Sequence, residues 1–283
     1  MKVSSSTKLY AVIGDPIEHS LSPIMHNVAF QLLDLNNIYL AFRVKPTDLG
    51  TAVAGIRSLG ILGFNVTIPH KVSIMEHLDE IDRSATRIGA VNTVVKRDGA
   101  LVGYNTDGAG ALASLREASV GLEGAKIVLL GAGGAARALG FSIAPLAGNL
   151  VVLNRTESRA KDLAFALKEF GNVEGKKLSE DTLCVELRDA DVLINSTSAG
   201  MHPQSNETPV ERKFLHERMI VFDIVYNPLS TRLLREAKTA GAYVVGGIRM
   251  LVYQGALAFE LWTGRKPPVK EMCTAVENAL GGK

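Results

Sequence analysis

An α/β fold in two lobes is what the sequence predicts, and three observations predict it. Short, continuous apolar runs alternate with segments whose apolar residues recur every three to four positions, the pattern of buried strands joined by crossover helices. A glycine-rich turn, Gly131-Ala132-Gly133-Gly134-Ala135-Ala136, lies between one such run and one such segment. At 283 residues the chain is also longer than a single core usually accommodates.

The totals bound the function before any motif does. Hydrophobic residues make up 47% and charged residues 21%, ordinary proportions with ample material for a core. A formal charge of +2 offers no electrostatic case for a nucleic-acid partner. Cys184 and Cys273 lie far apart without His or Cys neighbours at zinc spacing, so no metal is expected, and the thiols are read as buried in a reduced protein. Residues 1–7 hold no apolar run of signal-peptide length, and no other run could cross a bilayer. A cytoplasmic protein without a membrane partner is expected.

In the first lobe, Leu9-Tyr10-Ala11-Val12-Ile13 reads as a buried strand ending at Gly14-Asp15-Pro16. The helix that follows over 24–30 is preceded by Ser22-Pro23, which reads as an N-cap with proline at the first helical position. Ser20 and Ser22, alternating around Leu21, would aim two hydroxyls and free backbone N–H groups at one point, a place suited to a carboxylate. A capping serine and nothing more is the alternative. A second strand is expected over 39–44, a helix over 46–59 stopped by Gly60, and a third strand over 61–68.

That third strand runs into Phe64-Asn65-Val66-Thr67-Ile68-Pro69-His70-Lys71. Alternation turns Phe64, Val66 and Ile68 to the core and leaves the Asn65 amide and Thr67 hydroxyl on the other face. Pro69 stops the ladder, so Lys71 sits just past a strand end, where α/β folds place ligands. An edge strand with a solvated lysine is the plainer alternative. An amphipathic helix with an acidic outer face is expected over 74–88. The runs 89–95 and 101–106 around Asp98-Gly99 predict a hairpin that puts Asn92 and Asp107 at one end of the lobe. Asp107 could equally be the N-cap of the helix that follows.

The second lobe opens on the glycine-rich turn. A strand over 126–130 enters Gly131-x-Gly133-x-x-Ala136, helical spacing follows to Ile143, and the next strand is at 150–153. This is the context of a dinucleotide-binding turn of Rossmann type, with Gly131, Ala132, Gly133, Gly134 and Ala135 facing the pyrophosphate. Where an NAD-specific site carries a carboxylate, this chain has Asn154-Arg155-Thr156 and then Arg159 in the next helix. Guanidinium groups bind a 2′-phosphate, so the expected cofactor is NADP(H). A strand over 190–196 leads into Thr197-Ser198-Ala199-Gly200, small residues that leave room for nicotinamide or its ribose. Strands at 219–224 and 242–245 and helices over 229–241, 250–262 and 269–280 complete the chain.

Taken in order, these blocks resemble the shikimate dehydrogenase family in its NADP-dependent form, over nearly the whole chain. The resemblance rests on His19-Ser20-Leu21-Ser22-Pro23, Asn65-Val66-Thr67-Ile68-Pro69-His70-Lys71, Gly89-Ala90-Val91-Asn92-Thr93 and Asn105-Thr106-Asp107-Gly108. It continues through 131–136, Asn154-Arg155-Thr156, Asp223-Ile224-Val225-Tyr226-Asn227-Pro228 and Tyr253-Gln254-Gly255-Ala256. It implies reversible NADPH-dependent reduction of 3-dehydroshikimate to shikimate, a step toward chorismate and the aromatic amino acids. It implies Lys71 and Asp107 as the catalytic pair, Ser20, Ser22 and Tyr226 at the substrate carboxylate, and Asn65, Thr67, Asn92 and Gln254 around the ring hydroxyls. Gly247 and Met250 are implied near the nicotinamide. The implied domains are 1–107 with 248–283 for the substrate and 108–247 for NADP, and a homodimer is compatible with the pattern. The rival readings are an NAD-linked quinate/shikimate dehydrogenase and a non-catalytic NADP-sensing relative. His19 and His70 are expected to be structural.

Overall fold

A computed structural model describes residues 3–281; Met1 and Lys2, which opened the reading of the N-terminus, lie outside them. The chain divides into two units, Met1–Asp107 with Val252–Lys283 and Gly108–Leu251.

The first unit begins with β1 (Lys8–Gly14), α1 (Ser22–Leu32), β2 (Asn37–Arg43), a 3-10 turn and α2 (Leu49–Ser58), and β3 (Gly63–Val66). It continues with β4 (Glu80–Ile81), α3 (Arg83–Ile88) and the hairpin β5 (Thr93–Arg97) and β6 (Ala100–Tyr104). The sheet order is β2-β1-β3-β5-β6-β4. Both neighbours of β1 run parallel to it, whereas β3, β5 and β6 alternate in direction. The Asp98-Gly99 turn has positive φ at both residues, as a tight two-residue hairpin requires.

Alternation along β3 splits Phe64 and Val66 from Asn65 as the sequence predicts, with both faces covered. The strand stops at Val66, however, and Ile68, expected in the core, lies past its end and is exposed. Phe64 and Val66 join a core with Ala11, Ile13, Ile74 and Leu101. Asn65, on the opposite face, is also buried. That side is closed by an aromatic cluster in which His26, Phe30 and Tyr39 pack with Phe259 and Trp262.

Three local expectations are corrected here. The single helix over 74–88 is a 3-10 turn at Ser73–His77, then β4, then α3. Asp79 breaks it by accepting the Leu101 N–H at 2.7 Å, and Asp82 starts a new helix by accepting the Ser84 N–H at 2.8 Å. Ser22 is not the N-cap of α1: Leu21 occupies that position, with no side-chain cap, and Ser22 is a buried first-turn residue. Cys184 is exposed rather than buried, because it lies on the outer side of a short helix the periodicity did not reveal.

The second unit runs from α4 (Asp107–Glu117) through β7 (Lys126–Leu130), α5 (Gly134–Ile143), β8 (Asn149–Asn154), α6 (Glu157–Leu167), β9 (Val173–Lys177) and α7 (Glu180–Glu186). Then come β10 (Val192–Asn195), β11 (Ile220–Asp223), α8 (Arg232–Thr239) and β12 (Tyr243–Val245). Its sheet is wholly parallel in the order β12-β11-β10-β7-β8-β9. Ile127, Leu129, Leu150 and Val152 feed one core, and Val128, Leu130, Val151 and Leu153 feed the other, so both faces of the central strands are buried. Helix α9 (Ile248–Thr263) carries the chain back to the first unit, which α10 (Val269–Gly281) completes.

Candidate active site

The first unit gathers most of the predicted substrate-side residues into one polar network. Lys71 follows the turn after β3, and its backbone carbonyl accepts the Val91 N–H at 2.7 Å, which ties that turn to the strand entering the hairpin. Its side chain, only 17% exposed, donates from Nζ to Asp107 Oδ2 at 2.5 Å. Asp107 is the first residue of α4, but its carboxylate does not cap the helix. Asn105 Oδ1 takes the Asp107 N–H at 3.0 Å, and both carboxylate oxygens are committed sideways, Oδ2 to Lys71 and Oδ1 to Asn92 Nδ2 at 2.8 Å. The alternative of Asp107 as a mere cap is thereby removed.

Asn92 is the hub. Its Nδ2 lies within hydrogen-bond distance of Asp107 Oδ1, Thr106 Oγ1 at 2.9 Å and Gln254 Oε1 at 3.2 Å. Two amide hydrogens cannot serve three acceptors at once, so one of these contacts is exchangeable. Asn92 Oδ1 accepts the Thr106 N–H at 2.8 Å, which fixes the direction of the amide. Gln254, remote in sequence, reaches this point from α9.

The network continues away from Lys71. Thr93 Oγ1 donates to Asn92 Oδ1 at 2.9 Å and accepts from Asn65 Nδ2 at 3.0 Å. Asn65 Nδ2 also donates to the Asn92 carbonyl at 3.1 Å, and its Oδ1 accepts the Tyr39 hydroxyl at 2.7 Å. Ser20 Oγ accepts the Ser22 N–H at 3.4 Å, so the two serines occupy one turn ahead of α1. Thr67 lies just past the end of β3, its N–H bonded to the Ile13 carbonyl. His70 is buried with Nε2 2.7 Å from the Val44 carbonyl, and His19 is exposed.

The second unit holds the predicted nucleotide side. Gly131 follows β7 at φ +107°, a conformation strained for any other residue, and a side chain there would meet Ser196 Oγ. Gly133 precedes α5 with no side-chain cap and open space where a Cβ would stand, which leaves the helix's first N–H groups available. Asn154 Nδ2 donates to the Thr156 carbonyl at 2.9 Å, closing the turn that carries Arg155. Arg155 and Arg159 are exposed, and among the described residues no ion pair neutralises either. The uncapped helix start and the two unneutralised guanidinium groups fit a dinucleotide bearing a 2′-phosphate.

Asp223, at the end of β11, organises the rest of this unit's loops. Its carboxylate accepts from Asn195 Nδ2 at 2.9 Å, Thr231 Oγ1 at 2.6 Å and the Val225 N–H at 3.1 Å. Burial pushes its pKa up to about 6 against those three donors. Asn195 in turn accepts the Thr197 N–H and hydroxyl, so Asp223 steadies both the Thr197 loop and the turn bearing Tyr226. Burial raises the Tyr226 phenol as well. Gly247 sits directly against the Ile224 carbonyl, and Met250 is packed in this unit's core.

Sequence reasoning missed Tyr39, Thr93, Thr106 and Asp223 as parts of these arrangements. Thr93, Thr106 and Asp223 stand inside the motifs that carry the family resemblance; a carboxylate closing an otherwise apolar strand was the signal for Asp223. Tyr39 gave none, because only tertiary contact shows what its hydroxyl meets.

Comparison with known proteins agrees along the chain. Family profiles described as "Shikimate dehydrogenase substrate binding domain", "Shikimate / quinate 5-dehydrogenase" and "Shikimate 5'-dehydrogenase C-terminal domain" match residues 12–94, 113–229 and 247–277. The chain is 51% identical to a shikimate dehydrogenase (NADP(+)) of Bacillus cereus over 277 residues, covering 97% of this chain and 99% of the relative. It is 53% identical to one from Methanopyrus kandleri over 281 residues, covering 98% and 97%. A crystal structure of a shikimate dehydrogenase with NADP+ superposes with a TM-score of 0.91 at 44% identity, covering 99% of this chain and 98% of that one. One from Thermus thermophilus, with NADP(H) and shikimate, gives 0.87 at 38% identity, covering 96% and 100%.

Proposed function

The chain belongs to the shikimate dehydrogenase family, and on that premise we propose that it catalyses the reversible NADPH-dependent reduction of 3-dehydroshikimate to shikimate. Lys71 is the general acid/base and Asp107 its partner. The observation that carries this reading is the 2.5 Å contact between Lys71 Nζ and an Asp107 carboxylate that Asn92 holds from its other side.

When bound, NADPH supplies the reducing equivalent from its nicotinamide ring. As the substrate ketone becomes an alcohol its oxygen gathers negative charge, and the Lys71 ammonium answers with positive charge and a transferable proton. The amine left behind regains a proton from solvent. In the other direction the neutral amine takes the proton of the substrate hydroxyl. Asp107 fixes Nζ in place. Ser20, Ser22 and Tyr226 bind the substrate carboxylate; Asn65, Thr67, Asn92 and Gln254 bind the ring hydroxyls. Gly131 to Ala135 would hold the pyrophosphate, Asn154, Arg155, Thr156 and Arg159 the 2′-phosphate, and Thr197, Gly247 and Met250 the nicotinamide half. No carboxylate stands at 154–156, which favours NADP(H) over the NAD-linked alternative. A cytoplasmic setting, with a second copy of the chain as the one macromolecular partner, belongs to the same reading.

The test is to mix the protein with shikimate and NADP+ and follow the absorbance of the reduced cofactor. Formation of NADPH supports the proposal. Turnover only of quinate with NAD+ would replace it with the NAD-linked rival, and no turnover with any pair would leave the non-catalytic relative.

A further inference from the structure

Tyr39 lies on β2, at the sheet edge farthest in strand order from the hairpin that carries Asn92. Its side chain is nevertheless fully buried. The ring stacks on His26 at 4.4 Å with an 18° interplanar angle and touches Trp262 at 5.9 Å. Its backbone is clamped from both sides by one amide: the Tyr39 N–H donates to Asn27 Oδ1, and its carbonyl accepts from Asn27 Nδ2, each at 2.9 Å. Neither ring nor backbone has room to wander, so the hydroxyl is a fixed point.

That fixed point meets a residue assigned above to the substrate. The hydroxyl donates to Asn65 Oδ1 at 2.7 Å. The proton arithmetic around Asn65 is then closed. Both amide hydrogens are spent on the Asn92 carbonyl and Thr93 Oγ1, and one lone pair of Oδ1 is taken by Tyr39. What Asn65 can still offer a ligand is one acceptor site, aimed by the phenol. A ligand hydroxyl must therefore donate there, and a keto oxygen at that position would find no partner.

We propose that Tyr39 is a positioning residue for substrate: its buried hydroxyl holds Asn65 in the orientation that meets a hydroxylated ring acid. This rests on the reading of the site as one for shikimate. The effect belongs to substrate binding, since the phenol touches neither Lys71 nor Asp107.

Tyr39→Phe keeps the ring, its stack and the backbone clamp, and removes only the hydroxyl. The expected result is a KM for shikimate raised about tenfold, the scale of one lost hydrogen bond to a buried group, with KM for NADP+ unchanged and kcat within about threefold. In an Asn65→Ala background the same change should add less than about twofold, because the residue it acts through is gone. In the wild-type protein, the Tyr39 hydroxyl proton should exchange slowly enough to give an NMR resonance, and saturating shikimate should shift it. A KM for shikimate within twofold of wild type, additive losses in the double variant, an equal rise in KM for NADP+, or an unmoved resonance would each overturn the inference. A wild-type protein that does not oxidise shikimate at all would instead remove the site reading beneath it, so the two failures are distinguishable.

Discussion

At the scale of single residues, the proposed chemistry depends on an ammonium whose position is set by another side chain. Lys71→Ala should lower kcat by about a hundred- to ten-thousand-fold, the usual worth of a positioned proton donor, while KM for shikimate changes far less. Equal losses in both, measured by steady-state kinetics, would make Lys71 mainly a binding residue. On the cofactor side, Arg155→Ala should raise KM for NADP+ about ten- to a hundredfold, the scale of a charge-assisted hydrogen bond, and leave the weaker KM for NAD+ where it was. Identical shifts for both cofactors would place Arg155 away from the 2′-phosphate. The places of Lys71 and Arg155 were legible because each follows a strand end, an address that local pattern specifies. Asp107 was only half legible. Nothing in the chain order says that Asn105 would take over the backbone bond and free the carboxylate for Lys71.

At the scale of elements, loops on the second unit depend on one buried carboxylate between β10, β11 and α8. Asp223→Ala would strand the Asn195 amide, the Thr231 hydroxyl and the Val225 N–H without their acceptor. Such losses cost about 1–3 kcal/mol per buried group, so a denaturant melt should show the variant less stable by about 3 kcal/mol or more. A loss under about 1 kcal/mol would mean that water or a rearranged loop replaces the carboxylate. The elements themselves were read unevenly. Strands β7, β8, β10 and β11 announce themselves because burial on both faces writes an unbroken apolar run. Strand β9 escaped notice: it lies at the sheet edge and reads Val-Glu-Gly-Lys-Lys, and Lys176 is satisfied by ion pairs with Glu174 and Glu186 rather than by a core. The expected helix over 74–88 failed for a related reason, since its apolar spacing fits several short elements once Asp79 and Asp82 bond to backbone N–H groups.

For the whole molecule, acid acts in opposite senses on the two units. Burial in the aromatic cluster depresses His26 to about 3, so between pH 6.5 and 3 the unfolded chain binds a proton that the folded one refuses. Its stability contribution is complete above about pH 6.5 and falls as the pH drops, by about 2 kcal/mol at pH 5. Asp223 is raised to about 6, so the folded state takes up the proton first and gains about 1 kcal/mol over the same interval. Denaturant unfolding at pH 7.5 and pH 5 should show His26→Leu losing less stability on acidification than the wild type; an identical loss would mean that His26 does not stay neutral. By itself, the sequence determined the alternation of strands and helices, the glycine turn, the cationic turn after β8 and the identity of the residues flanking strand ends, because each is a local pattern of period, turn chemistry or charge. Only the tertiary structure decided that Tyr39 commands Asn65 and that Asp223 ties two loops together. Those are hydrogen bonds between residues far apart in the chain, and a buried polar group takes whichever partner the packing brings within about 3 Å.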